Sequence, residues 1–256
     1  MNVDLTGHVA IVTGAGSGIG QATALALARQ GARVTVADNI SDRVYATEEA
    51  IAGACKHRAD YRSPLGLVVD VRIEDDVSNM VSRTISQFGQ LDILVASAGI
   101  LRARDSRPKL LCETTVPEWD EVIDTNLKGV FLSNQKALAA MIPRKRGTII
   151  NISSISGREA RAYDAAYCAS KFGIIGMSES LAEEVSQHNI RVMTILPHAT
   201  RTPLWAQNGP IGAPQLALSP ERVAEFIVYA LKLPEDTVLV NSVIAPFRAR
   251  RRKASQ

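Results

Sequence analysis

A chain of 256 residues with 46% hydrophobic content is long enough to enclose one sizeable core, and a single domain over residues 1–256 is expected. The formal net charge of +3 is concentrated near the end, in Arg248, Arg250, Arg251, Arg252 and Lys253. Without those residues the body is about −2, and with no interleaved aromatics this argues against a nucleic-acid partner and reads residues 247–256 as a solvated basic tail. Cys55, Cys112 and Cys168 are odd in number with no Cys-x-x-Cys spacing, and His8, His57, His188 and His198 have no ligand spacing, so neither a disulfide framework nor a metal site is expected. The first residues lack the charged start and apolar core of a signal peptide, and no apolar run is long enough to cross a bilayer. A cytoplasmic protein that keeps away from the membrane is the expectation.

In chain order, the apolar run Val9-Ala10-Ile11-Val12 reads as a buried strand, Thr13-Gly14-Ala15-Gly16-Ser17-Gly18-Ile19-Gly20 as a glycine turn, and Gln21 to Gln30 as a helix. Glycines at such a junction let the backbone approach a pyrophosphate, and the free N–H groups at the helix start hold its charge. The second strand, Arg33 to Ala37, ends at Asp38, about 20 residues beyond the turn, where a carboxylate can accept the hydroxyls of an adenosine ribose. That favours NAD over NADP, because a 2′-phosphate would be repelled and Ser17 supplies no cation. A helix from Ser41 to about Lys56, a strand Leu65 to Val69, a helix Glu74 to Phe88 and a strand Leu91 to Val95 continue the alternation. Asp70-Val71 and Ala98-Gly99 fall at two strand ends. The unpatterned stretch from Ile100 to Val116, with Arg102, Arg104, Arg107 and Lys109, is expected to be solvated surface. The capping box Thr115-x-x-Glu118 then starts a helix running through Asn126 to about Met141.

A strand Thr148 to Ile152 delivers Ser153-Ser154, a helix carries Tyr167, and a strand Arg191 to Leu196 leads to Pro197. Ser219-Pro220 caps another helix, and Thr237 to Val243 is expected to be the closing strand. Strands alternating with helices throughout define an α/β fold: a single doubly wound parallel sheet of about seven strands with helices on both faces, binding ligands beyond the carboxyl ends of the strands. In the segment Tyr167-Cys168-Ala169-Ser170-Lys171, positions four apart share one helical face, so phenol and ammonium lie side by side. A cation there is expected to lower the tyrosine pKa toward neutrality and suit it to proton exchange. Cys168, a third of a turn away, reads as buried filler. The segment Leu204-Trp205 to Leu218, with Pro210 and Pro214, is expected to cover a partly apolar small molecule.

With Thr13-Gly-x-x-x-Gly-Ile-Gly20, Asp70-Val71, Asn126, Ser154 and Tyr167-x-x-x-Lys171 in this order, the chain resembles the short-chain dehydrogenase/reductase family over almost its whole length. The resemblance implies a Rossmann-type sheet and an NAD(H)-dependent oxidoreductase that moves hydride between nicotinamide and a secondary alcohol or ketone. It implies that Tyr167 exchanges the proton, Ser154 bonds the same oxygen, Lys171 also holds the nicotinamide ribose, and Asn126 orders a water leading from the lysine to solvent. Gly14, Ser17, Gly18, Ile19, Gly20, Asp38, Asp70, Val71, Ala98, Gly99, Pro197, Thr200 and Thr202, with Tyr167 and Lys171, are the implied cofactor contacts. It further implies a homodimer or homotetramer built on the helices near Asn126 and Tyr167. Three places depart from the family pattern: Ala96-Ser97-Ala98-Gly99, Pro197-His198, and the ending Val240-Asn241-Ser242-Val243-Ile244-Ala245-Pro246. The first leaves out amides that pin the central strand, for which Ser97 is expected to compensate in part. The second sets His198 near the reacting centre, and the third weakens the usual tetramer contacts. A 3-oxoacyl-[acyl-carrier-protein] reductase and a non-catalytic dinucleotide sensor with the same fold are the alternatives.

Overall fold

The computed structural model describes residues 4–208 and 212–247, so Pro210 and the basic run from Arg248 lie outside the described residues. Strands β1 (Val9–Thr13), β2 (Arg33–Asp38), β3 (Leu65–Val68), β4 (Ile93–Ala96), β5 (Gly147–Ile152), β6 (Ile190–Pro197) and β7 (Ser242–Ile244) form one parallel sheet in the order β3-β2-β1-β4-β5-β6-β7. Their apolar runs are continuous because both faces are covered. Along β1, Ala10 and Val12 pack under the helices α1 (Gly18–Arg29), α2 (Ser41–Cys55) and α7 (Pro220–Leu231), with Leu27, Ile51 and Ile227. Ile11 points to the opposite face, where it joins Met80 of α3 (Glu74–Phe88) and Leu138 of α5 (Gly129–Met141). The same period of two splits Ile93 and Val95 from Leu94, and Ile150 and Ile152 from Ile149.

The chain runs outward from β1 to β3, then crosses back to set β4 on the other side of β1, with Thr13 beside both Ala37 and Ala96. Loops leaving these neighbouring strands go opposite ways, which opens a crevice above their carboxyl ends. On its far side stand α4 (Val116–Ile123) and α6 (Ala165–Val185).

Three expectations need correcting. The closing strand is Ser242–Ile244, not Thr237 to Val243, because Asn241 has φ +45°, a left-handed conformation that interrupts an extended run. The helix from Thr115 to Met141 is not uniform: residues Asp124–Lys128 form a π-helical turn between α4 and α5. Nor is the segment after Ile100 simply solvated. Arg102 is 8% exposed and pairs with Asp164 at 2.6 Å, and Lys109 pairs with Glu118, while Arg104 does point into water.

Candidate functional site

The crevice is a continuous cleft, and every residue expected at the site lines it except Asn126, which stands buried directly behind. Its floor is the glycine turn. Gly14 has φ +63°, and a Cβ there would come within 2.7 Å of the Ala98 Cα, so this turn and the end of β4 meet backbone to backbone. The Thr13 hydroxyl accepts from the N–H groups of Ser97 and Ala98 at 3.1 and 3.3 Å, so the junction that Ser97 was expected to support is held by Thr13. Ser17, Gly18, Ile19 and Gly20 open α1, and Thr202 from the far wall lies against Gly18. A cradle that any side chain would fill, beside a helix amino end, fits a pyrophosphate.

Asp38 closes one end. It is buried at 8% exposure, and its carboxylate accepts from Gly16 N at 3.0 Å and Ile40 N at 3.1 Å. Arg43 also lines this end, its Cβ packed beside Gly16, so the adenosine side does hold a cation, contrary to the reading from Ser17 alone. Asp70 is bound by the Arg72 guanidinium, which holds its carboxyl below the usual carboxylate range, and Val71 backs onto Gly129.

At the other end β5 delivers Ser154, whose hydroxyl caps a short turn by accepting from Ser156 N at 3.1 Å. Tyr167 and Lys171 face the cleft from successive turns of α6, as their spacing requires. The expected lowering of the tyrosine pKa is not found. Burial pushes the phenol up to about 12, with the Ser154 hydroxyl and, more weakly, Arg161 pulling the other way. Lys171 lies over the ring, 5.6 Å from its centroid, and turns its Nζ to the Ile152 carbonyl at 2.9 Å. Burial pushes that ammonium down to about 8. The π turn carries Asn126 inward: its Oδ1 accepts from Ile100 N at 2.8 Å and its Nδ2 donates to Ile100 O and Ser170 Oγ. A Cβ built on Gly99 would lie 3.2 Å from Asn126 Oδ1 and 3.6 Å from Lys171 Nζ, so both groups converge on one point.

The remaining wall comes from Pro197, His198, Thr200 and the short helix Pro203–Asn208. The Trp205 indole donates to Thr200 O at 2.8 Å, and Gln207 Oε1 accepts from Leu101 N at 2.7 Å and Arg102 N at 3.1 Å, joining this flap to the loop after β4. Sequence reasoning missed Arg43, Arg161 and Gln207. A cation on the first turn of α2 was visible for Arg43, but nothing local to Arg161 or Gln207 marks them.

Doubly wound topology with a glycine cradle at its switch point defines a dinucleotide-binding fold. The short chain dehydrogenase family profile matches residues 8–210, and the chain belongs to that family. It is 34% identical over 249 residues to a 3-oxoacyl-[acyl-carrier-protein] reductase of Thermotoga maritima, covering 94% of this chain and 96% of the relative. The crystal structure of levodione reductase matches with a TM-score of 0.83 at 27% identity, covering 98% of this chain and 99% of the other. A 3-ketoacyl-(acyl-carrier-protein) reductase from Brucella melitensis, complexed with NADH, matches with a TM-score of 0.82 at 29% identity, covering 96% of this chain and all, 100%, of the other.

Proposed function

We infer that the chain is an NAD(H)-dependent oxidoreductase acting on a secondary alcohol or ketone, with Tyr167 as the acid and base. The observation that carries this reading is the placement of Ser154, Tyr167 and Lys171 on the wall of the cleft whose floor is the Gly14 turn. A bound nicotinamide supplies or accepts the hydride. Gly14, Ser17, Gly18, Ile19 and Gly20 would hold the pyrophosphate, Asp38 the adenosine ribose, and Asp70, Val71, Ala98, Gly99, Pro197, Thr200 and Thr202 the remainder.

Tyr167 gives its proton to the developing alkoxide, or takes it from the alcohol, while Ser154 donates a hydrogen bond to the same oxygen. A phenol near 12 stays protonated at neutral pH, so its proton is in place for reduction although held more tightly than in a free tyrosine, and in the oxidising direction a bound, positively charged nicotinamide would favour the phenolate. Lys171, near 8, readily exchanges a proton at neutral pH, and Asn126 would order the water that refills it.

Asp38 supports NAD, and the NADH complex of the Brucella melitensis relative agrees. The second reading is a 3-oxoacyl-thioester reductase using NADPH: the relatives' activity favours the reductase, and Arg43 beside Asp38 favours NADPH. Phe131 of α5 and Phe172 of α6, each 46% exposed, suit these helices to a homodimer or homotetramer, checked by sedimentation. Free Cys55, Cys112 and Cys168 fit a reducing, cytoplasmic setting. The deciding experiment is fluorescence titration with NADH and NADPH, followed by an alcohol and ketone panel on the wild type and Tyr167→Phe. Loss of turnover by roughly a hundredfold or more with dinucleotide binding kept is expected; a variant that keeps most of its rate removes Tyr167 from the chemistry, and binding with no turnover by the wild type supports the sensor.

A further inference from the structure

Arg161 stands on the loop between β5 and α6, just ahead of Tyr167, and lines the same cleft. Its guanidinium carbon lies 5.8 Å from the centre of the Trp205 ring, so the charge rests against the flap on the opposite wall. Both sides of this contact are anchored. The Arg161 backbone N–H donates to the Sγ of Cys168, the residue after Tyr167, at 3.4 Å, and the Trp205 indole is tied to Thr200 O. The guanidinium is close enough to the phenol to favour its ionised form.

The charge also has no ion-pair partner among the described residues. Asp164, the acid between Arg161 and Tyr167, is taken by Arg102 at 2.6 Å in a pair buried on both sides. The cleft's acids lie elsewhere: Asp38 and Asp70 at the dinucleotide end, and Glu121, which accepts from Arg104 N. The reacting end therefore presents two cations, Arg161 and Lys171, and an apolar stem of Leu204, Trp205 and Ile155 between walls. A planar guanidinium fork with free donors is matched to a carboxylate.

We propose that Arg161 recognises a carboxylate of the substrate, so that the chain acts on an oxo acid or hydroxy acid with a short apolar stem. This rests on the oxidoreductase reading and narrows its substrate class. The carboxylate is a handle and is unchanged in the reaction. In reduction, one hydride from the reduced dinucleotide adds to the ketone carbon and one proton from Tyr167 to its oxygen, so that C=O becomes CH–OH and the oxidised dinucleotide is released.

The test compares straight-chain oxo acids, with the ketone next to the carboxylate or one or two carbons away, each against its methyl ester, by the rate of NADH oxidation. For at least one acid, kcat/KM should exceed that of its ester by roughly tenfold or more, mainly through KM, and Arg161→Gln should bring the ratio near one, with Arg161→Lys retaining part of it. A second readout needs no turnover. In a Trp119→Phe background, butanoate should perturb Trp205 emission saturably, and Arg161→Gln should remove the effect. Esters used as well as acids, an equal loss for both in Arg161→Gln, or no carboxylate-dependent Trp205 signal overturns the proposal. Dinucleotide binding with no turnover of any acid or ester by the wild type would instead sink the oxidoreductase reading, and a butanoate signal lost in Arg161→Gln would still leave the anion site standing.

Discussion

Replacing Lys171 with methionine should make the protein more stable and remove its turnover. The side chain is 5% exposed, and its folded pKa is about 8 against 10.5 for the free group. Keeping it charged in the fold therefore costs roughly 3 kcal/mol at pH 7. Methionine fills nearly the same space but strands the Ile152 carbonyl that Nζ now bonds, which returns about 1–2 kcal/mol. The net gain is about 1–2 kcal/mol, or roughly 2–6 °C in Tm for a chain of this length. Its pH dependence is the sharper test. Below about pH 8 both folded and unfolded chains carry the proton, so the cost is present in full. As pH rises toward 10.5 the folded lysine is already neutral, and the cost fades to roughly 2 kcal/mol at pH 9 and under about 1 kcal/mol at pH 10. The phenol of Tyr167, pushed up to about 12, costs both proteins alike above pH ~10 and cancels. Urea unfolding of wild type and Lys171→Met at neutral and alkaline pH measures the difference, with turnover expected to fall roughly a hundredfold or more. A variant less stable at neutral pH, or a difference that does not change with pH, would show that the ammonium is not desolvated in the fold.

Arg102→Ala leaves Asp164 buried without its partner and should lower unfolding stability by about 3–5 kcal/mol, whereas Arg102→Met combined with Asp164→Leu should recover most of it; equal losses in both would mean the pair is not buried. Asp38→Ser removes the carboxylate facing Gly16 and leaves Arg43, so the kcat/KM ratio of NADPH to NADH should rise by roughly tenfold or more, and an unmoved ratio would place the discrimination elsewhere. Gly14→Ala forces a side chain into a left-handed residue 2.7 Å from the Ala98 Cα, which should cost about 1–3 kcal/mol in urea unfolding and weaken dinucleotide binding in a fluorescence titration.

Much of the framework was legible because it is written in neighbouring residues. The limits of α3 follow from Glu74, Asp75 and Asp76 at its start and Gly89, with φ +87°, at its end. The Thr115 box is formed as expected, with Thr115 N donating to Glu118 at 2.9 Å. The glycine turn, its strand and its helix were equally local, and so was the meeting of Tyr167 with Lys171 on one helical face. Asn126 was legible as a position but not as a geometry, since the π turn that swings it toward Ile100 depends on packing from α6.

The chain's order of residues alone determined the doubly wound sheet, the cradle at its switch point, and the meeting of Tyr167 with Lys171 on one helical face. Periodicity and turn chemistry act between residues a few positions apart, and a linear text records such distances. Only the tertiary structure decided the charge states. Whether Lys171 lies near 8 or near its free value, and whether Arg102 is solvated or locked to Asp164, depend on which surfaces exclude water together. Desolvation is a property of the enclosure, and its walls come from residues tens of positions apart.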